Sequence, residues 1–351
     1  MRRFRINVGM LMLVFFVFWG TAHCQDNKAY KIACVGFYNL ENLFDIEDDP
    51  AIRDEDFTLD GRYTWGAEKY QNKLRNMAEV IADLGTSVSP DGMAVLGVCE
   101  VENKKVLEDL VSQEKISNRK YEIIHFDSPD RRGIDVGLLY QRKYFKPTNS
   151  TVHKLTFKND PDYFTRDQLV VSGEMDGDKV SFIVAHWPSR SGGQAKSEPR
   201  QIEAAKLGRR IIDSLLLADP AAKIILMGDL NDDPIDKSVK DYIRAKGKIG
   251  KMKAGDMYNT MYRKFKQGDC TLAYRDAWNL FDQLIVSEGL LSDDASTYVF
   301  HKSYVYSKEY LKQKVGNYKG YPKRTHAGGK YLNGYSDHFP VFMVLKKEVN
   351  Q

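Results

Sequence analysis

The chain has 351 residues, of which 28% are charged and 42% hydrophobic, with 26 Gly and 11 Pro. That composition is globular and excludes a disordered, collagenous or coiled-coil chain. The length admits two domains or one large α/β domain, with enough core to need no staple. The formal net charge of +4 overstates the basic character, because Arg2, Arg3 and Arg5 sit in a start that carries no acid.

Residues 1–24 run from that basic start through the apolar stretch Val8 to Trp19 to the small residues Gly20-Thr21-Ala22. This order reads as a secretory signal peptide, and the apolar run is shorter than the ~20 residues a membrane span needs. The expectation is a secreted or periplasmic protein made of residues 25–351, with no stable membrane span. A lipid anchor on Cys24 is the weaker reading, because bulky His23 precedes it. Without the leader, 49 basic residues face 48 acidic ones, so any attraction for polyanions must be local. Cys34, Cys99 and Cys270 then remain, too few for a dense disulfide framework. Cys34 and Cys99 lie inside apolar runs and read as core residues, with a bridge between them left open.

Buried strands are expected at Lys31 to Tyr38, Met93 to Val98, Val136 to Tyr140, Val180 to Ala185, Lys223 to Met227, Gln283 to Val286 and Val341 to Leu345. A helix over Ala67 to Leu84 places Leu74, Met77, Ile81 and Leu84 on one face. A second is expected from Pro199 to Leu217, with Ile211, Ile212 and Leu215 turned inward, and a third around Lys237 to Ala245. No repeat or linker interrupts this series, so one layered α/β domain is expected.

Polar residues gather where the apolar runs end, which is where loops build sites. Asn39 and Glu41 follow the first strand, and Glu100 and Glu102 the second. A carboxylate there suits a hard cation such as Mg²⁺. Strand alternation puts Glu100 and Glu102 on one face, and Glu100 is preferred because it directly ends the run. Arg131 and Arg132 form a pair able to clamp phosphate, and His186 ends a strand ahead of Arg190. Asp229 and Asn231 are two apart, so on extended backbone they point the same way, as a base and an amide. Asp282 sits among apolar residues and needs a partner, and Asp337-His338 precedes the last strand. Each feature alone is compatible with an ordinary turn, cap or solvated surface.

In order, Asn39, Glu100, His186, Asp229-x-Asn231, Asp282 and Ser336-Asp337-His338 resemble the endonuclease/exonuclease/phosphatase superfamily. Gly228-Asp229-Leu230-Asn231 and Ser336-Asp337-His338-Phe339-Pro340 are the most specific pieces. That group includes pancreatic-type deoxyribonucleases, apurinic endonucleases, inositol polyphosphate phosphatases and bacterial sphingomyelinases. The likeness spans about Ile32 to Leu345. The opening Asn39-Leu40-Glu41-Asn42-Leu43-Phe44 and the late Tyr-rich segment look like a secreted bacterial branch.

The resemblance implies a four-layer α/β/β/α sandwich of two mixed sheets, with residues 25–351 as one catalytic domain. It implies metal ligation by Glu100, Asn39 and Asp337, with Mg²⁺ as cofactor and Mn²⁺ as substitute. It implies catalysis by Asp229 acting on water with Asn231 assisting, by His338 held by Asp282, and by His186 as a second phosphate donor. Cys99 departs from the Gln that many members carry before the metal Glu. Arg132, Arg190, Asn231, Lys323 and Arg324 are the expected substrate contacts.

Residues 301–334 hold eight Lys/Arg and six Tyr against one acid, Glu309. Basic residues meet backbone phosphates and rings stack on bases, so an exported, monomeric, metal-dependent nuclease acting on DNA or RNA is the leading expectation. The alternative is a phosphatase or phosphodiesterase on inositol phosphate or sphingomyelin-type headgroups. A binding protein with a decayed site ranks last, because the set of catalytic residue types is complete.

Overall fold

The computed structural model describes residues 29–349, so the expected leader at residues 1–24, including Cys24, lies outside the described residues. Two mixed sheets dominate. The six-stranded sheet runs, in spatial order, Val299–Val305, Val341–Glu348, Tyr30–Leu43, Met93–Val101, Asp135–Gln141 and Tyr121–His125. The seven-stranded sheet runs Lys146–His153, Gln168–Met175, Asp178–His186, Lys223–Asp229, Asp282–Val286, Met257–Asn259 and Ala245–Lys246. Each of the seven strands expected from the apolar runs is present.

Both sheets carry a parallel pair at their middle. Tyr30–Leu43 pairs parallel with Met93–Val101, and Asp178–His186 with Lys223–Asp229. A parallel pair needs a long crossover, and the two principal helices supply it: Ala67–Asp83 in the first case and Gln194–Ala218 in the second.

The period-two alternation of the strands then divides the core into three. Val35, Phe37, Val95, Val184, Met227 and Leu284 meet between the sheets. Cys34, Tyr38, Leu74, Met77, Ile81 and Leu96 pack between the first sheet and its helix. Ile183, Ile211, Ile212, Ile224 and Leu226 pack between the second sheet and its helix. The result is a helix–sheet–sheet–helix sandwich. Cys34 and Cys99 face opposite sides of one sheet, and both are free thiols.

Two helix expectations are corrected. The second helix starts at Gln194, ahead of Pro199, because Gly192 and Gly193 adopt φ of 81° and 99° and turn the chain into it. The third is only a π-helical turn at Ser238–Tyr242, followed by strand Ala245–Lys246. Arg244 lies between them with φ 64°, its guanidinium held by Asp256, and this breaks the helical path. No described helix is long and apolar enough to cross a membrane.

Candidate active site

The site forms where the parallel strands of both sheets end, on the face turned toward the other sheet. Met227 and Val184 point between the sheets, so the strand period puts Asp229 and His186 there too. The register places His186 opposite Asp229 and Asp229 opposite Asp282, one row across three neighbouring strands. Gly228 makes the row compact: a Cβ there would lie 2.1 Å from the Ala185 carbonyl oxygen. From the other sheet, Phe37 points inward and Asn39 follows two residues later.

Asp229 is buried and held on both oxygens. Asn39 Nδ2 donates to Oδ2 at 3.1 Å and the Asn231 N–H to Oδ1 at 3.0 Å. Burial raises its carboxyl above the usual range and nearby Asp282 adds to this, while the His338 imidazole opposes it. His338 comes from the six-stranded sheet side. Its Nδ1 bonds Asp282 Oδ2 at 2.7 Å, and its Nε2 lies 3.8 Å from Asp229 Oδ2. Burial alone would lower the imidazole's pKa, but Asp282 and Asp229 outweigh it and hold the ring well above the ordinary value. Nδ1–H therefore donates to Asp282, and Nε2–H is directed to the same space as Asp229. Oδ1 of Asp282 is buried without a hydrogen-bond partner.

His186 behaves oppositely. Its Nε2 lies 3.6 Å from Asp229 Oδ2 and 3.9 Å from Glu100 Oε1. Burial, then the charges of Arg166, Arg132 and His338, keep the ring neutral. Two imidazoles thus face one carboxylate, one charged and one neutral.

Glu100 reaches the site through a backbone irregularity. It adopts φ 58°, and the ladder to Asp135–Gln141 shifts between Cys99 and Val101. Glu41 and Asn42 on the adjacent strand have φ of 49° and 52°. Left-handed backbone at three neighbouring non-glycine residues is the kind of strain that concentrates at functional sites. The bulge aims the Asn42 N–H at Glu100 Oε2, 3.0 Å away. It also breaks the alternation, so Glu100 and Glu102 do not share a face: Glu102 accepts the Asp45 N–H instead. Glu100 has no Lys or Arg ion-pair partner among the described residues. Asp337 does have one: Arg324 Nη2 bonds its Oδ2 at 2.8 Å while Arg324 Nε bonds Glu41 at 3.2 Å.

Several assignments change with the geometry. Asn39 was expected among the metal ligands, yet its Oδ1 accepts the Glu41 N–H and its Nδ2 serves Asp229. Both ends of the amide are engaged, so Asn39 positions Asp229. Asn231 is left-handed (φ 50°), not extended, and its amide nitrogen donates to the Trp187 carbonyl. Arg190, expected at substrate, spends its guanidinium on the Asn231 carbonyl, Asp232 and Asp236, and stacks over Phe281. Lys323 bonds the Asn333 carbonyl and does not join the cluster. Arg132 is half exposed beside Asp130, close enough for its charge to act on His186.

Two contributors, Lys73 and Arg166, carry no signal in the sequence, and a third, Glu41, stands out there only as a strand-end carboxylate. Glu41 is buried and accepts the Thr325 N–H at 2.6 Å. Its spacing from Asn39 repeats the spacing of Asp229 and Asn231, which was the available signal. Lys73 is buried on the helix Ala67–Asp83, donating to Thr325 Oγ1 and the Tyr335 carbonyl at 2.7 Å each, with Glu41 3.9 Å away. Arg166 is 3% exposed, bonding Asp130 at 2.8 Å and the Trp187 carbonyl at 2.6 Å. Neither cation carries a local motif.

A profile of the Endonuclease/Exonuclease/phosphatase family matches residues 34–347. The chain belongs to that family. Its members are phosphoric ester hydrolases. No curated protein sequence matches the chain significantly. Among solved structures, a humanized D. rerio TDP2 aligns with TM-score 0.53 at 14% identity, covering 90% of this chain and 98% of its own. D. rerio TDP2 complexed with a single-strand DNA product gives the same values. A mannosyl-6-phosphatase from Bacteroides thetaiotaomicron aligns with TM-score 0.54 at 16% identity, covering 89% of this chain and 99% of its own. At these identities the likeness is one of fold.

Proposed function

We propose that the protein is an exported, divalent-cation-dependent nuclease that hydrolyses phosphodiester bonds in DNA or RNA. The observation that carries the nucleic-acid part is a cleft of about 450 Å³ joined to the site through Arg324. Tyr274, Arg275, Tyr318 and Tyr321 line it, and Tyr274 and Tyr318 are 62% and 60% exposed. Trp278 packs against Tyr321 at 5.1 Å. Exposed rings beside guanidinium groups are a stacking platform for bases with a cationic track for phosphates.

The Tyr-rich segment divides between two uses. Tyr304 stacks on Phe342, Tyr306 bonds Asp83 and Tyr310 packs on Tyr335, so these three serve the fold. Tyr318 and Tyr321 are left to the cleft. Lys308 and Lys312 are likewise paired, with Asp83 and Glu309.

The chain's own groups suit the chemistry. Asp229, positioned by Asn39 and the Asn231 N–H, accepts the proton of an attacking water, an effect worth about 10²–10⁴-fold. His338 donates Nε2–H to a non-bridging oxygen as charge develops there, and Asp282 fixes its tautomer. Neutral His186 adds a second hydrogen bond. The Glu100 carboxylate, with no Lys or Arg partner among the described residues, fits a cation such as Mg²⁺ or Mn²⁺. A bound cation supplies Lewis acidity at a phosphoryl oxygen. The leader-like residues 1–24 support export.

The test is incubation of the mature protein with plasmid, RNA, a sugar phosphate and inositol polyphosphate, with Mg²⁺ and after exhaustive chelation. Cleavage of nucleic acid that stops on chelation is expected. Phosphate release from the monoesters alone would replace this reading with a phosphatase.

A further inference from the structure

Between the aromatic cleft and the catalytic row lies a four-member charge network that the chemistry above does not use. Glu41 is buried at the end of strand Tyr30–Leu43, and Lys73 is buried beneath it on helix Ala67–Asp83. Arg324 and Asp337 stand at the surface above them. Both Glu41 oxygens are engaged: Oε1 by Arg324 Nε at 3.2 Å and Oε2 by the Thr325 N–H at 2.6 Å, with Lys73 Nζ 3.9 Å from Oε2. The other edge of the guanidinium is taken by Asp337 through Nη2 at 2.8 Å. Among the described residues no group accepts a hydrogen bond from Nη1.

The backbone that carries Arg324 is fixed as well. Lys73 Nζ donates to Thr325 Oγ1 and to the Tyr335 carbonyl, so one ammonium ties both legs of the excursion from Thr325 to Tyr335. The Tyr335 N–H closes on the Lys323 carbonyl at 2.6 Å. Gly334 allows that approach, because a Cβ there would lie 2.2 Å from the Arg324 carbonyl oxygen. Arg324 lines the cleft, whose walls hold Arg275 and no Asp or Glu. It also lines a small pocket shared with Asn42, whose N–H serves Glu100.

A surface arginine samples many rotamers, and a ligand that uses it must order it. Here two carboxylates hold the fork in advance and leave one edge open. Charge decides what that edge can take. Glu41 and Asp337 against Arg324 alone would present a net negative group to a polyanion, and buried Lys73 brings the sum to zero. We propose that Glu41, supported by Lys73, is a positioning residue for phosphate recognition: it holds Arg324 so that Nη1 meets a backbone phosphate of the strand lying in the cleft, beside the scissile diester. This rests on the nuclease reading.

The test is steady-state cleavage of a single-stranded oligonucleotide by the full chain in Mg²⁺ at several NaCl concentrations, on variants shown by circular dichroism to be folded. Glu41→Gln removes a negative charge, which by simple electrostatics would favour a polyanion and lower KM. Positioning predicts the opposite, a KM raised about tenfold. Arg324→Gln should raise KM about 10–100-fold, the scale of a hydrogen bond to a charged group. The double variant should match Arg324→Gln alone, because Glu41 acts through that side chain. The slope of log KM against log salt should fall by about one in each variant, and by one rather than two in the double. Arg324→Lys keeps the charge and loses the fork, so its KM should also rise, and it serves should Glu41→Gln fail to fold. A KM unchanged or lowered in Glu41→Gln, effects that multiply in the double variant, or a wild-type KM in Arg324→Lys would each overturn the proposal and leave the nuclease reading standing. Failure of the wild type to cleave any nucleic acid would remove that reading and this proposal together.

Discussion

The two acidic centres differ in how the chain treats its carboxylates. Around the active site every buried carboxylate has a partner from elsewhere in the fold. Asp229 has two amides, Asp282 has His338, and Glu41 has Thr325, Arg324 and Lys73. Behind Asp45 the partners are backbone N–H groups, the Asn103 amide, the Ser128 hydroxyl and one histidine. The first centre is assembled to hold defined protonation states and leaves Glu100 without a Lys or Arg partner among the described residues. The second has no Lys or Arg ion-pair partner for Asp45, Glu102 or Asp135 among the described residues and is held by neutral donors and His125. Counter-charges, not acids, distinguish the two regions.

Removing a counter-charge from the active site should therefore destabilise the fold, whereas removing a charge from the group behind Asp45 should not. The largest effect expected is for Lys73→Met. It leaves Glu41 buried without its ammonium, and breaking a buried pair costs about 3–5 kcal/mol, read as a lower midpoint in urea. A change below about 1 kcal/mol would mean that Arg324 alone satisfies Glu41. Next comes His338→Ala, which should lower kcat by about 10²–10³-fold, the scale of a lost donor to developing charge. Because the imidazole is also the counter-charge of buried Asp282, Tm should fall as well, and kcat is compared on protein shown by circular dichroism to be folded. Asp282→Asn acts through the His338 ring and should cost about 10–100-fold in kcat, with the limb of the pH profile that reports His338 moving to lower pH because the charge that raises its pKa is gone. Smallest is Tyr321→Ala, expected to raise KM for an oligonucleotide about tenfold by loss of stacking while leaving kcat within about twofold. An unchanged KM would take the cleft out of substrate binding.

Much of this was legible in the chain. Buried strands announce themselves as continuous apolar runs, and every one so identified is a strand. Of the strands overlooked, Lys146–His153 and Val299–Val305 are polar or half exposed at sheet edges, whereas Gln168–Met175 is buried inside its sheet but offers only the short apolar run Leu169-Val170-Val171. Asp229, Asp282, His186 and His338 could be picked out because each lies at or beside a strand end, where topology converges. Lys73 and Arg166 could not. Lys73 meets Thr325 across 252 positions of sequence, and only the tertiary fold reveals that meeting. The Glu100–Glu102 pair shows a different limit. Alternation assumes regular backbone, and one left-handed residue at Glu100 sends the two carboxylates to two different centres. That the Asn39 amide serves the Glu41 N–H and Asp229 was likewise not legible, because sequence does not disclose which atoms of an amide are already engaged.

The central claim is that Asp229, set between Asn39, His186 and His338, is the base of a phosphodiester hydrolase. The most direct test is single-turnover cleavage of a short single-stranded oligonucleotide under saturating Mg²⁺, comparing wild type with Asp229→Asn. The substitution preserves shape and one of the two incoming hydrogen bonds, since an amide has a single oxygen acceptor, and circular dichroism checks that the variant is folded. A loss of about 10²–10⁴-fold in the cleavage rate is predicted. Cleavage by the folded variant within about twofold of wild type would contradict the account.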